Sequence, residues 1–275
     1  MAKAITFFNE KGGTGKTTLT ALCANWLAYK KHEKVYVFDF DFPMYQLYNL
    51  RENDKAIIRD HPVSTLSVLS AANREHIYPI GKAAAQNSFS TKELESIAAS
   101  IRKQMEKAGD AYFLFDFPGR YIPNDPVHYL SKKGLIDLVV FPIDSDRQSR
   151  ASALRTYHEM QKVSETGGQK ALFLWNRESQ KERSGRKDWY SGADELFNRM
   201  GIDVAGARIR DIIIARRDAS TFGFIRNTMC WPEFNIRKAC GYIENIFEEV
   251  ILRADGKWDD AQKERIYGKN DEETR

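Results

Sequence analysis

Four groups of residues in this chain have side chains and spacing suited to chemistry. The first is Asn9-Glu10-Lys11-Gly12-Gly13-Thr14-Gly15-Lys16-Thr17-Thr18, where three glycines precede a Lys-Thr-Thr run. Glycine accepts positive φ without a Cβ clash, so such a stretch can turn successive backbone N–H groups toward a polyphosphate. A helix opening at Lys16 would add the positive end of its dipole. Gly12, Gly13, Thr14 and Gly15 then form a cradle in which Lys16 pairs with the β- and γ-phosphates, Thr17 ligates Mg2+ and Thr18 touches the α-phosphate. The usual spacing, G-x-x-x-x-G-K-[ST], would put a glycine at position 10. This chain has Glu10 there, and an additional cation, Lys11, follows it.

The other three groups are polar residues at the ends of apolar runs. Asp39 and Asp41 close Val35-Tyr36-Val37-Phe38, and residues i and i+2 of a strand point to one side. Two like charges so placed are unfavourable unless a cation, or a water to orient, lies beside them. Asp116 ends a second run, Ala111–Phe115, and leads into Phe117-Pro118-Gly119. A further run, Leu172–Trp175, ends in Asn176-Arg177, although Asn is also simply favoured in turns.

These residues need elements to position them. Ala4–Phe8, Val35–Phe40, Tyr112–Phe115, Leu138–Ile143 and Ala171–Trp175 are short apolar runs without clean alternation, as in strands covered on both faces. Between them lie helical patterns. Leu19, Leu22, Cys23, Trp26 and Leu27 share a face of Thr17–Tyr29, and Leu94, Ile97, Ala98, Ile101 and Met105 follow a capping box at Ser90-Thr91-Lys92-Glu93. A late helix carries Ile236, Ala239, Ile243, Ile246, Phe247 and Val250. Strands alternating with helices predict an α/β fold, a mostly parallel twisted sheet with helices on both faces, and the Gly-Lys-Thr-Thr loop after the first strand makes it one of the P-loop NTPase type. The stretch from Tyr45 to Ser88 is less regular and reads as helical and loop insertions near the carboxyl edge of the sheet. With no internal repeat or dividing linker, residues 1–254 are expected to form one domain, followed by a polar tail, 255–275, that frays.

The form K-G-G-x-G-K-T-T resembles the deviant Walker A motif of the ParA/MinD ATPases. In that family the early lysine, here Lys11, reaches across a nucleotide-sandwiched homodimer to the partner's ATP. The stretch from Val35 to Pro43 is similar to the family's D-x-D-P motif, with Phe42 interposed before the proline. The resemblance gives Asp39 a supporting role in the Mg2+ shell and Asp41 the role of positioning the attacking water. Ala111–Gly119 resembles a Walker B strand ending in D-x-P-G. There Asp116 would hold Mg2+ through a water, and Gly119 would let the next loop approach the γ-phosphate. In relatives, an Asn-Arg pair such as Asn176-Arg177 offers its amide to adenine. The motif order runs from Lys3 to Phe224 and implies a slow, partner-stimulated ATPase with Lys11, Lys16 and Asp41 as its catalytic residues.

The segment "DFDFPMYQLYNLREND" is also similar to ParA-type proteins of plasmids or conjugative elements (TraA-like). That implies DNA partition, maintenance or conjugative transfer, nonspecific DNA binding, and a DNA-binding or mobilisation adaptor that stimulates hydrolysis. From Arg177 to Cys240 there are 13 Lys/Arg against 9 Asp/Glu. Within that span Arg208, Arg210, Arg216 and Arg217 are the candidate phosphate contacts, against the plainer reading of a solvated charged face. Two other readings stand beside the switch: a nucleotide-binding regulator with little hydrolysis, and a P-loop ligase of the dethiobiotin-synthetase type, for which no substrate motif is found.

Composition sets the outer bounds. The 275 residues are 42% hydrophobic and 12% aromatic, which suits a folded globular chain. A net charge of +4 permits a polyanionic partner without requiring one. Cys23, Cys230 and Cys240 are too few and too scattered for a disulfide framework or a zinc site, so a reducing cytoplasmic setting is expected. No cysteine between Cys23 and Cys230 could share a metal cluster after Asp116. There is no signal-peptide pattern and no 18-residue apolar run. The ending "WDDAQKERIYGKNDEETR" has too few apolar residues for interfacial insertion, so no membrane partner is expected.

Overall fold

Strands and helices alternate along the chain in the computed structural model, which describes residues 1–60, 78–83, 86, 88–165, 169–178, 189–210 and 243–268. Among them the strands are β1 (Lys3–Phe7), β2 (Val35–Asp39), β3 (Ile80–Lys82), β4 (Tyr112–Asp116), β5 (Leu138–Ile143), β6 (Ala171–Glu178) and β7 (Ile209–Arg210). The helices are α1 (Lys16–Asn25), α2 (Gln46–Asp60), α3 (Thr91–Ala108), α4 (Pro126–Lys132), α5 (Arg147–Val163), α6 (Trp189–Arg199), α7 (Ile243–Asp255) and α8 (Asp260–Tyr267). A wider π-type turn, Trp26–Lys30, prolongs α1.

The seven strands form one sheet in the order β3-β2-β4-β1-β5-β6-β7, and every pairing is parallel. Parallel strands bring all their carboxyl ends to one edge, and ligands of open α/β sheets bind at that edge. The glycine-rich stretch after β1, the aspartates ending β2 and β4, and Asn176 in β6 therefore come together because of topology. In the pairing of β2 with β4, Asp39 stands opposite Asp116.

Helices cover both faces, so successive strand residues feed two separate cores. Ile5 and Phe7 of β1, Leu114 of β4 and Leu172 and Leu174 of β6 pack with Leu19 of α1 and Ile246, Phe247 and Val250 of α7. Their neighbours Ala4, Phe8, Phe113, Phe115, Phe173 and Trp175 pack on the other side with Leu94 and Ile101 of α3 and Phe197 of α6. Burying both faces explains why the strands carry no polar alternation.

The capping box at the start of α3 is present in both halves. Ser90 Oγ accepts from the Glu93 amide at 3.4 Å, and Glu93 Oε2 accepts from the Ser90 amide at 2.7 Å. The irregular stretch after Tyr45 holds α2 and the three-residue β3, a strand too short to leave a pattern. Ile236, Ala239, Cys230 and Cys240 lie outside the described residues. The segment read as a frayed tail is corrected in part, because it contains α8. Asn245 Nδ2 donates to the Ile266 carbonyl at 2.9 Å, and the Tyr267 hydroxyl donates to Glu249 at 2.7 Å. Those contacts dock it on α7 and Ile266 is buried, so a mostly polar sequence is held largely by hydrogen bonds.

Candidate functional site

The glycine-rich stretch leaves β1 and is pinned before it turns. Asn9 is fully buried; its Nδ2 donates to the carbonyls of Pro142 (2.9 Å) and Ser149 (3.1 Å), and its Oδ1 accepts from the Lys11 amide at 3.0 Å. The loop ends at Gly15, which sits at the N-cap of α1 with φ 96° and no side chain to satisfy the first N–H groups. No acid occupies the first turn of α1 either. The positive end of this helix is therefore left for an anion. Lys16 lies across the loop with Nζ donating to the Lys11 carbonyl at 3.3 Å. Burial lowers its ammonium from the usual value, and the carboxylates of Asp116 and Asp41 pull it back up.

The three aspartates are in different states. Asp39 is fully buried, and its oxygens accept from the amides of Asp41 and Tyr48, each at 3.0 Å. Burial raises it and those two amides oppose the rise. Asp39 thus braces the loop that carries Asp41. Asp41 itself is partly exposed; burial raises it, while Lys16 and then Arg120 lower it. Asp116 is buried with neither carboxylate oxygen hydrogen-bonded. Burial and then the charge of Asp39 push it up to about 8, with Thr17 and Lys16 acting in the opposite direction. The Thr17 hydroxyl is close enough to act on Asp116 without reaching hydrogen-bond geometry.

A buried, unpartnered carboxylate beside a threonine hydroxyl fits a hydrated divalent cation. Among the described residues no cluster of three His, Cys, Asp or Glu side chains could cage a metal alone. Mg2+ keeps several waters and shares its shell with phosphate oxygens, so it does not require such a cage.

The remaining predicted residues converge less uniformly. Gly119 belongs here by contact: a Cβ on it would lie 2.7 Å from the Glu10 carbonyl oxygen and 3.4 Å from Lys16 Nζ, so only glycine lets the 117–125 loop come this close. Asn176 also reaches the phosphate loop, where its Nδ2 donates to the Thr14 carbonyl at 2.7 Å and lies against Gly15. Here the amide serves the loop itself. Arg177 follows with φ 64°, at the irregularity between Asn176 and Glu178 in the β6–β7 pairing. Thr14 is buried, and its hydroxyl donates weakly to the Lys11 carbonyl at 3.4 Å.

Lys11 points away from the loop, toward its own α5. Nζ donates to Gln148 Oε1 at 2.9 Å and lies 3.8 Å from Asp146. Glu10, in the place of the first glycine, is tied to the same helix by Arg155 (2.7 Å) and Thr156 (2.9 Å).

Several of these residues carried no usable signal in the sequence. Asn9 could have been suspected from its place between strand and glycines. Gln148, Asp146 and Arg120 could not, because their roles depend on which loops the sheet brings together.

Of the cations expected to face DNA, Arg208 has another place. Its guanidinium lies 3.3 Å from Glu178 and 3.0 Å from Asp194, with the Tyr190 ring 5.0 Å away, and its side chain is 18% exposed. It ties β6 to α6, which takes it out of the set open to DNA. Arg210 is partly exposed at the end of β7. Arg216 and Arg217 lie outside the described residues. No described helix is long and apolar enough to cross a membrane.

Comparison with known proteins bears on the fold. Residues 5–125 match the family model described as the CobQ/CobB/MinD/ParA nucleotide binding domain. No curated protein sequence matches the chain significantly. Among solved structures, a putative plasmid partition protein from Borrelia burgdorferi B31 bound to AMPPNP is similar at a TM-score of 0.59 and 14% identity. That match covers 94% of this chain and 99% of that one. A ParA family ATPase from Chlorobium tepidum TLS gives 0.52 and 15%, covering 80% and 90%. The MinC:MinD cell division protein complex of Aquifex aeolicus gives 0.51 and 17%, covering 77% and 82%. At these identities the likeness is one of fold.

Proposed function

We propose, from the match of residues 5–125 to the CobQ/CobB/MinD/ParA nucleotide binding domain, that the chain is an ATP-driven dimerisation switch of the ParA type. Its work would lie in DNA partition, maintenance or conjugative transfer. The observation that carries this reading is the pairing of an uncapped α1 N-terminus with the unpartnered Asp116 carboxylate across from Lys16. One attracts a polyphosphate, the other a cation travelling with it.

ATP binds with its phosphates on the backbone N–H groups of residues 12–18, and Lys16 neutralises the β- and γ-oxygens. Thr17 and Asp116 are the residues that would hold Mg2+, with Asp39 supporting from the adjacent strand. When bound, that ion neutralises charge developing on the phosphates. Asp41 is the open carboxylate facing Lys16, and it orients the attacking water. Asp39 fixes the Asp41 loop through its two amide contacts.

Lys11 supplies charge to the partner's nucleotide when two copies meet. Its contacts with Gln148 and Asp146 are exposed, and such surface pairs contribute about 0–1 kcal/mol. Releasing Lys11 to swing outward is therefore cheap. Because the full cation set forms only in the dimer, hydrolysis by one chain is slow.

DNA contact through Arg210, Arg216 and Arg217 would be nonspecific and salt-dependent. A DNA-bound adaptor protein would stimulate turnover. The test is ATP turnover with and without DNA, for the wild-type chain and for Lys16→Ala. Slow hydrolysis raised by DNA and lost in Lys16→Ala is expected. Fast turnover with no DNA effect, or turnover surviving Lys16→Ala, would contradict the reading.

A further inference from the structure

The carboxyl end of β6 carries a backbone irregularity whose neighbours are fixed on both sides. From one pairing to the next, β6 advances from Asn176 to Glu178 while β7 advances only from Ile209 to Arg210, so Arg177 is the extra residue of a bulge. It holds φ 64°, a conformation that a non-glycine residue keeps only where its surroundings impose it. Those surroundings are anchored on Asp194 of α6. Before the bulge, the Trp175 indole N–H donates to Asp194 Oδ1. Beyond it, Glu178 is ion-paired with Arg208 at 3.3 Å, and Arg208 in turn reaches Asp194 Oδ2 at 3.0 Å. Bulges beside functional sites serve to re-aim a side chain. The side chain aimed here is that of Asn176.

Its target is the backbone of the phosphate loop. The Thr14 carbonyl, at 2.7 Å, can only accept a hydrogen bond, so the amide nitrogen of Asn176 faces it. The fit is close, because a Cβ on Gly15 would stand 2.4 Å from that nitrogen. In a planar trans peptide the C=O and the following N–H point in opposite directions. Drawing the Thr14 carbonyl back to Asn176 therefore turns the Gly15 N–H away from β6. Gly15 is the N-cap of α1, the helix start that no side chain caps, so this N–H joins the set left for an anion. The entry to the same loop is held by Asn9, through the Lys11 amide at 3.0 Å. With its nitrogen on Thr14 and only 9% of the residue exposed, Asn176 presents little to a base.

We propose, resting on the nucleotide-site reading given above, that Asn176 is a positioning residue for the phosphates: it fixes the Thr14–Gly15 peptide with its N–H toward the bound polyphosphate, and it does not read the adenine. The bulge at Arg177 and the anchors on Asp194 hold it to that task. This role differs from the one that the Asn-Arg resemblance implies. A base reader makes ATP binding depend on Asn176 and leaves a base-free polyphosphate untouched. A loop brace makes both depend on it equally.

The experiment is displacement of a fluorescent ADP analogue by ATP and by tripolyphosphate, which has no base, on the full chain. Wild type, Lys16→Ala, Asn176→Ala and Asn176→Ser are compared, with the analogue's own affinity measured for each. Loss of one neutral hydrogen bond should weaken ATP and tripolyphosphate by the same factor, about 5- to 10-fold, in Asn176→Ala. Serine keeps a polar group one bond shorter than the amide and should show the same pair of losses; it carries the test if Asn176→Ala does not fold. Amide NMR separates positioning from general loosening. The Gly15 amide proton should move downfield on saturation with tripolyphosphate in wild type and not in the variants, whereas a loosened but intact loop would keep that shift. A loss for ATP alone, no loss for either ligand, or a Gly15 shift retained in the variants would overturn the role of Asn176 alone, in a protein whose wild type binds ATP through Lys16. Absence of Lys16-dependent ATP binding in wild type would overturn the nucleotide reading and this one with it.

Discussion

Replacing Asp116 with Asn should raise the stability of the nucleotide-free protein, and the gain should depend on pH. Asp116 is buried, its oxygens have no hydrogen-bond partner, and its carboxyl is pushed from 3.8 up to about 8 by burial and by Asp39. The folded protein therefore holds this proton more tightly than the unfolded chain does. Between those two values folding takes up a proton, so wild-type stability falls as pH rises through the window and levels off above it. For one isolated group the slope is about 1.4 kcal/mol per pH unit. Burial raises Asp39 and Asp41 as well, so the three acids share the proton uptake. Acting alone, Asp116 would give at most about 4 kcal/mol between pH 5 and pH 8; because Asp39 and Asp41 keep part of the uptake in the variant, the expected difference between wild type and Asp116→Asn is about 1–3 kcal/mol. Asn is isosteric and cannot ionise, and its curve lacks this component. Urea unfolding at several pH values, followed by circular dichroism, measures the difference. The gap in favour of Asp116→Asn should widen from pH 5 to pH 8 and stay constant beyond. Parallel curves, or a wild type that gains on the variant as pH rises, would refute the claim that this carboxylate is kept at a cost in stability for a cation to use.

Two further outcomes follow from the same geometry and charge. Gly119→Ala has an acceptable backbone, but its Cβ would meet the Glu10 carbonyl oxygen at 2.7 Å, forcing the two loops apart. A displacement of about 1 Å at a reacting centre costs up to about a hundredfold, so ATP turnover should drop by about 10- to 100-fold while circular dichroism and melting stay near wild type. For DNA, Arg216→Glu with Arg217→Glu should weaken nonspecific binding and flatten its dependence on salt by about one unit of slope for each phosphate no longer neutralised, read by fluorescence anisotropy over a salt series. Unchanged binding would remove those residues from the interface.

The parts of the site readable from sequence are those that a parallel sheet delivers automatically. Asp39, Asp116 and Asn176 each close or nearly close an apolar run, and once the strands are parallel their ends share one edge. Gly15 and Lys16 follow from the need for an open helix N-terminus. What the sequence does not carry is who holds whom. Asp39 and Asp41 look alike as letters, yet one is tied to two amides and the other faces Lys16. Lys11 is held by residues 135–137 positions away, and Arg208 by partners 14 and 30 positions away, so neither pairing leaves a periodic trace. Short elements disappear for a simpler reason. β3 and β7 are three and two residues long, below the length at which alternation can be seen. The docking of α8 depends on polar contacts to α7, which a search for apolar faces passes over.

The central claim is that triphosphate brings two copies face to face and that Lys11 of each serves the other. Light scattering behind size exclusion, with ATP, with ADP and without nucleotide, measures this directly for wild type and Lys11→Ala. The account predicts a mass that doubles only for wild type with ATP, and a Lys11→Ala chain that stays single and hydrolyses poorly. A Lys11→Ala chain that doubles and turns over ATP as wild type does would contradict it.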